Sequence, residues 1–183
     1  MSPKRRVFVS FYGGDEAEVL RFVSRWADRE RVFSPRILHD AYNGVFVDSN
    51  DTEYVIGRIR RDFIGDSTVT MLLLGECTHG RRYVDWELKA SLRQGDVYSP
   101  NGLLAINLPS APESLYLPGR FKENWASDNS KYARWYGPPT SAEQLSGWIE
   151  DAYAARTSRA YLIENAQDRL LYNRRCGVHD KTH

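Results

Sequence analysis

A nearly continuous apolar run from Val69 to Leu74 predicts a β-strand that is buried on both faces. Apolar positions then recur at the helical period from about Arg82 to Gln94, and Gly95 is typical of the end of a helix. The polar loop between these elements should lie at the carboxyl end of a parallel strand, where open α/β sheets bind their ligands. We therefore expect this loop and the first turns of the helix to carry the function.

The same alternation of strands and helices extends over residues 6–107. Further strands are predicted by three runs of β-branched, aromatic and other apolar residues, namely Arg6–Phe11, Val32–Leu38 and Gly102–Asn107. Pro35 indicates that the second of these is an edge strand or is irregular, because proline cannot donate a ladder hydrogen bond. Helical periodicity predicts a helix capped by Asp15 and another over Thr52–Ile64. The pattern predicts an α/β fold, a parallel sheet with helices on both faces.

The rest of the chain adds an aromatic-rich insertion and a helical end. Residues 109–139 show no sustained period but are rich in rings, so we expect them to fold back over the sheet: Tyr116, Phe121, Trp125, Tyr132, Trp135 and Tyr136. Thr140–Glu143 matches a capping box and predicts a helix, and a further helical segment is predicted from Arg159 to about Arg174. We expect one domain over residues 1–183, with a core at 6–107, an insertion at 108–139 and a helical segment at 140–176.

Net charge, apolar runs and cysteine content indicate which partners and which cellular compartment to expect. The net charge is +1, which lacks the basic footprint of a nucleic-acid-binding protein, so no nucleic acid is expected as a partner. No apolar run approaches the length of a signal peptide core or a bilayer span, so we expect a cytoplasmic protein without membrane attachment. Cys77 and Cys176 are too few for a disulfide scaffold and too far apart for a metal knuckle, and we expect both to be reduced thiols.

Motifs for common cofactors are missing. Neither a dinucleotide-binding glycine pattern nor a P-loop is present, although Gly13 and Gly14 follow the first predicted strand. The four histidines lack metal-ligand spacing to one another or to the cysteines, so no metal site is predicted.

Glu87 is the residue best placed for chemistry. On the predicted helix it lies at the edge of the inner stripe, about 60° from Val84, with Tyr83 one turn before it. A carboxylate at such an edge can be held partly desolvated against a substrate. The alternative is a solvated position on the flank of the helix.

Other residues at the same edge can bind phosphate. Ser10, Phe11 and Tyr12 end the first predicted strand, and the amides of Gly13 and Gly14 can cradle an anion. Arginines of two helices can hold a pyrophosphate by forked hydrogen bonds or form a solvated face: Arg58, Arg60, Arg61, Arg81 and Arg82. The polar loop His39–Thr52 is long for a compact α/β domain, which is typical of a functional or mobile segment.

Three stretches together resemble the TIR-like domain of the ThsB proteins of the bacterial Thoeris defence system: Val7–Phe11, Ser67–Gly75 and Thr78–Glu87, the last followed by Lys89–Ser91. The likeness covers roughly residues 6–107. Other TIR domains usually carry Trp four residues before the catalytic glutamate, whereas this chain has Tyr83. Arg81 and Val84 stand where Ser and Cys commonly flank that Trp, which resembles the ThsB branch more than animal or plant TIR domains.

The resemblance implies a flavodoxin-like sheet and an enzyme that cleaves NAD to make a cyclic or conjugated ADP-ribose signal during phage infection. Glu87 would be the catalytic residue, with NAD as substrate and no further cofactor. We expect NAD to be bound by residues at the sheet edge and by one in the long loop: Ser10, Phe11, Tyr12, Arg82, Tyr83 and Asp48. The implied partners are a phage-derived trigger, further copies of the chain and a downstream effector reached through the signal. The alternatives are a non-catalytic TIR-like adaptor and a nucleotide-binding sensor.

Overall fold

The computed structural model describes residues 4–37 and 52–182, apart from the side chains of residues 52, 53, 55 and 56. It contains a five-stranded, all-parallel sheet in the order β2-β1-β3-β4-β5. The strands are β1 (Arg6–Ser10), β2 (Ser34–Ile37), β3 (Val69–Leu74), β4 (Gly102–Asn107) and β5 (Arg134–Tyr136). The predicted parallel α/β sheet is therefore confirmed, and the fold is flavodoxin-like.

Helices cover both faces of this sheet. The helices are α1 (Glu16–Val23), α2 (Thr52–Ile59), α3 (Arg82–Ser91), α4 (Gly119–Glu123) and α5 (Ala142–Ser158). Wider π-helical turns extend α1 to Arg29 and α2 to Ile64. Apolar residues of α1 and α5 pack on one face of the sheet, and those of α2, α3 and α4 pack on the other. The core is therefore split into two layers by the strands, as the near-continuous apolar runs of β3 and β4 require.

The two central strands β3 and β4 have the predicted bounds, and β2 is an edge strand as Pro35 indicated. The insertion does more than cover the sheet, because β5 extends the sheet beyond β4 through the pairs Leu104–Arg134 and Ile106–Tyr136. Helix α3 ends at Ser91, one turn before the predicted end. The segment Ser91–Asn101 is instead turned back by the hydrogen bond from Asn101 N to Ser91 O, 2.8 Å long.

Two predictions about the helical end of the chain are wrong. The cap of α5 is Ser141 and not Thr140: Ser141 Oγ accepts from Gln144 N at 3.2 Å, and the Gln144 side chain accepts from Thr140 N at 2.9 Å. The predicted helix from Arg159 to Arg174 is replaced by a short 3-10 turn, Ala160–Leu162, and an irregular segment. Backbone groups of that segment bond to side chains of α3 and α4, which satisfies them without a helix.

The prediction of two reduced thiols is also wrong, because Cys77 and Cys176 form a disulfide. They lie 99 residues apart in sequence but their Cα atoms are 5.2 Å apart. The fold creates this proximity by laying the C-terminal segment, residues 163–182, over the loop that joins β3 to α3. Sequence spacing alone cannot reveal such a long-range pairing.

Candidate active site

The candidate site lies where the strand order of the sheet reverses. From β1 the chain moves outward to β2 and then returns to form β3 on the other side of β1. The connections that leave the carboxyl ends of β1 and β3 therefore diverge to opposite faces of the sheet, which is the topology that forms a ligand crevice in such folds. This position is the usual ligand site of doubly wound sheets, including those with the flavodoxin-like order.

Glu87 reaches this edge from the second turn of α3. The hydroxyl of Ser10, the last residue of β1, donates to Glu87 Oε2 at 2.5 Å, and both residues are buried, Glu87 with 4% of its surface exposed. The solvated position that the sequence left open is thereby excluded. Two of the predicted site residues, Ser10 and Glu87, are in direct contact.

The packing of α3 explains why a carboxylate is buried here. Val84, Leu88 and Leu92 fix the helix against the apolar layer of the sheet. Side chains on a helix lean toward its N-terminus, so Glu87 points back toward the strand ends. A hydrogen-bond donor at the end of β1 compensates part of the desolvation of its carboxylate.

A second carboxyl group lies at the same edge. Asp15 ends a 3-10 turn, Gly13–Asp15, and stands at the predicted N-cap position of α1, but its side chain makes no capping hydrogen bond. Instead Thr78 Oγ1 donates to Asp15 Oδ2 at 3.3 Å, and any Cβ at position 75 would collide with the Asp15 carboxylate, so Gly75 makes room for it. Burial raises the pKa of Asp15 to about 6, and the nearby carboxylates of Glu18 and Glu76 add to this.

Arg81 also belongs to this edge, but its guanidinium is engaged within the fold. Its Cζ lies 4.8 Å from the centre of the Tyr12 ring, and its Nε donates to Cys77 O at 3.1 Å. Burial lowers the pKa of the Arg81 guanidinium. Arg58 of α2 pairs with Asp62 one turn later. These candidate pyrophosphate-binding arginines thus contact different partners within the fold and do not form one cluster.

Arg82 and Tyr83 form a pair on the first turn of α3. Arg82 Nη2 donates to the Tyr83 hydroxyl at 3.1 Å, and the guanidinium lies over the rings of Tyr83 and Trp86. The Tyr83 ring meets Trp86 edge-on with 5.2 Å between centroids. The side chains of Arg82 and Tyr83 therefore contact each other, one helical turn before Glu87.

The remaining candidates lie elsewhere. Phe11 packs against the core layer formed with α1 and α5, which is the face of the sheet opposite to α3. Asp48 and the rest of the predicted functional loop up to residue 51 lie outside the described residues. A substrate contact by either residue stays a prediction.

Sequence reasoning missed a buried ion pair behind the site. Asp85 lies on the side of α3 away from Glu87. Its Oδ1 accepts a hydrogen bond from Arg120 Nε at 3.0 Å, and its Oδ2 accepts one from Leu170 N at 2.8 Å. The same guanidinium donates to the carbonyls of Gln167 and Asp168. No local pattern in the sequence of α3 indicates this pair, because Arg120 lies 35 residues from Asp85 along the chain.

Over residues 4–37 and 52–182, no group of three or more His, Cys, Asp or Glu side chains is arranged to hold a metal ion. Within the same ranges, no helix has both the length and the apolar character needed to cross a bilayer.

Comparison with known families agrees with this architecture. A family model described as "Thoeris protein ThsB, TIR-like domain" matches residues 8–113, which is more than half of the chain. No curated protein matches the chain. The matched range includes the last three residues of β1, all of β2, β3 and β4, the disulfide-bonded Cys77 and Glu87. The chain therefore belongs to the ThsB TIR-like family, and this membership supports a role in anti-phage defence.

Proposed function

We propose that this protein cleaves the bond between nicotinamide and ribose in NAD and makes a cyclic or conjugated ADP-ribose signal, with Glu87 as the catalytic residue. The observation that carries the proposal is the buried Glu87 carboxylate, held by the Ser10 hydroxyl at the edge between β1 and β3. A buried carboxyl group at the ligand-binding edge of such a sheet is a common mark of an active site.

The proposed chemistry requires stabilisation of positive charge. When nicotinamide leaves, the ribose develops oxocarbenium character, as sugars do in glycoside cleavage. A carboxylate fixed beside the ribose stabilises that charge, and it does so more strongly in a desolvated position than in water. Nicotinamide departs from NAD as a neutral base, so the step needs no acid to protonate a bridging oxygen.

Ser10 has a positioning role in this proposal. Its hydroxyl donates to one carboxylate oxygen and limits the rotation of the Glu87 side chain. Because an ionised carboxylate can accept several hydrogen bonds at once, this contact is compatible with a further one to a ribose hydroxyl. In this proposal Ser10 orients Glu87 and does not itself bind the substrate.

Formation of a cyclic product further requires that water be kept from the ribosyl cation while a group of the same molecule attacks it. We assign the remaining substrate contacts to Tyr12, Arg82 and Tyr83, which lie on the two segments that border the crevice. Phe11 and Asp48 remain candidates on sequence grounds alone.

The proposal is tested with purified protein and NAD at high protein concentration, with and without an extract of phage-infected cells. Nicotinamide release is followed by chromatography, and the ADP-ribose products are identified by mass spectrometry. Glu87→Gln should lower release by about 100-fold or more, the scale of losing a group that stabilises transition-state charge. Glu123→Gln, at an exposed position on α4, is the matched control and should behave as wild type.

Equal release by wild type and Glu87→Gln would overturn the catalytic role of Glu87. Wild-type protein that is inert under every condition but associates with another domain would favour an adaptor. Saturable NAD binding without any product would indicate a nucleotide sensor.

A further inference from the structure

The C-terminal segment, residues 163–182, lies over the loop that leads into α3. The disulfide between Cys77 and Cys176 joins the two directly. Cys77 belongs to this loop, and Cys176 belongs to a small turn closed by the pairing of Cys176 with Lys181. The loop is the same one that contacts Asp15 and Tyr12 at the candidate active site.

The outer part of this segment, residues 171–182, has very little buried surface of its own. Cys176 is its only buried residue, and the others are exposed or half-buried. Leu171 and Tyr172, which could have added apolar contacts, are 61% and 77% exposed. A segment with so few apolar contacts opens readily unless another bond holds it.

The non-covalent contacts include several hydrogen bonds and a contact between His179 of the segment and the Glu76 carboxylate of the loop. Arg174 N donates to Gly80 O at 2.7 Å, and Arg82 N donates to Asn173 Oδ1 at 3.0 Å. Gly177 N donates to His79 Nε2 at 3.2 Å. Through Asn173 the segment supplies a cap for the N-terminus of α3, because the N-cap residue, Arg81, makes no side-chain capping hydrogen bond.

Gly80 fits the segment closely. A Cβ at this position would lie 2.8 Å from Arg174 O, which is closer than a carbon and a carbonyl oxygen can pack. The loop is therefore shaped to receive the backbone of the segment, and the disulfide is formed across that fitted contact.

We propose that Cys77 and Cys176 are a reversible redox pair that fastens residues 171–182 over the loop leading into α3. A dithiol reduces the pair with two electrons and two protons: the sulfur–sulfur bond breaks, two thiols form, and the dithiol is oxidised to its own disulfide. Because both sulfur atoms belong to buried residues, the attacking thiolate reaches them only when the segment opens. After reduction, only non-covalent contacts hold the segment, and it opens more often.

Opening would uncover Gly80, Arg81 and the first turn of α3, the helix that carries Glu87. The redox state of the pair thereby sets how firmly the loop beside the candidate active site is held. This inference does not depend on NAD cleavage, since it concerns the docking of one segment of the fold.

Hydrogen exchange of the full chain, read by mass spectrometry, tests the proposal. The protein is compared after equilibration with glutathione disulfide and after reduction with dithiothreitol, and alkylation counts the free thiols in each sample. We expect no free thiol in the oxidised protein and two in the reduced protein. Reduction should speed exchange about tenfold or more in peptides covering 76–82 and 171–182, while β3 and β4 keep their protection.

Two variants distinguish the effect of the disulfide from the effect of the contact between Gly80 and the C-terminal segment. Cys176→Ser should show the fast exchange with or without dithiothreitol, and reduced wild type gives the same information if this variant fails to fold. Gly80→Ala should speed exchange in the oxidised protein, whereas Gly13→Ala is a matched control, because a Cβ at Gly13 meets nothing within 4 Å.

Three results would overturn the proposal. They are equal exchange in both redox states, failure of the disulfide to form in glutathione disulfide, and a disulfide that dithiothreitol does not reduce in the folded protein.

Discussion

Helix α3 carries two buried carboxylates on different sides, and they meet different surroundings. Asp85 is bound by the Arg120 guanidinium and by the backbone of Leu170, both from parts of the chain that lie behind the helix. Glu87 is bound by the Ser10 hydroxyl at the carboxyl end of β1. The first contact fastens the helix to the rest of the fold, and the second lies at the edge where such sheets bind ligands.

The comparison shows that burial of a charged residue does not by itself identify an active site. Asp85 is as buried as Glu87, and its partners account for it as a structural group. Position relative to the strand ends separates the two roles. We therefore expect changes at Asp85 to act on stability and changes around Glu87 to act on turnover.

The largest effect on stability should come from Asp85→Asn. It leaves the Arg120 guanidinium buried without its charge partner, which typically costs about 3–5 kcal/mol in the free energy of unfolding. Urea unfolding measures this loss. Asp66→Asn removes a partly exposed pair with Arg36 and should cost less than about 1 kcal/mol, so equal losses in the two variants would contradict the account.

Ser10→Ala tests the surroundings of Glu87 and should affect turnover more than stability. Removing the hydroxyl should cost about 1 kcal/mol in stability and lower nicotinamide release roughly tenfold, because Glu87 loses its orienting bond. Ser91→Ala is matched to it, since Ser91 is also a buried serine in a hydroxyl pair, 2.7 Å from Thr70 Oγ1. If Ser91→Ala slowed release as much as Ser10→Ala, the positioning role of Ser10 would be wrong.

Asp15→Asn should have the smallest effect, and the effect should depend on pH. Burial raises the pKa of Asp15 to about 6, so the folded protein binds this proton more tightly than the unfolded chain, whose carboxyl has its ordinary pKa near 4. The contribution of Asp15 to stability is therefore present at low pH and lost as pH rises from about 4 through about 6.

Urea unfolding at pH 4, 5, 6 and 7 measures this dependence. The wild type should lose stability relative to Asp15→Asn across that range, and Asp28→Asn, at an exposed position on the turn after α1, should run parallel to wild type. A constant difference between wild type and Asp15→Asn at all four pH values would show that Asp15 does not titrate as proposed.

Much of the sheet could be predicted from local sequence. The apolar runs at β3 and β4 give these strands their predicted bounds, because strands buried on both faces need apolar residues at every position. Pro35 gave the edge position of β2 for an equally local reason. The phase of α3 placed Glu87 beside the inner stripe, but its burial follows from the packing of α3 against β1, which the phase of one helix does not show.

The wrong predictions concern contacts between distant parts of the chain. Apolar residues at helical spacing after Arg159 favoured a helix, yet the segment forms backbone bonds with Trp86, Lys89 and Arg120 instead. The disulfide depends on the same docking, which no local pattern records. Strand β5 was missed because three residues are too short to show a period.

Nicotinamide release by Glu87→Gln, compared with wild type at equal folded concentration, tests the central claim most directly. Glutamine keeps an oxygen for the Ser10 hydroxyl, so we expect a thermal midpoint within a few degrees of wild type. The account predicts that this folded variant releases nicotinamide at no more than about one hundredth of the wild-type rate. Release at the wild-type rate by folded Glu87→Gln would contradict it.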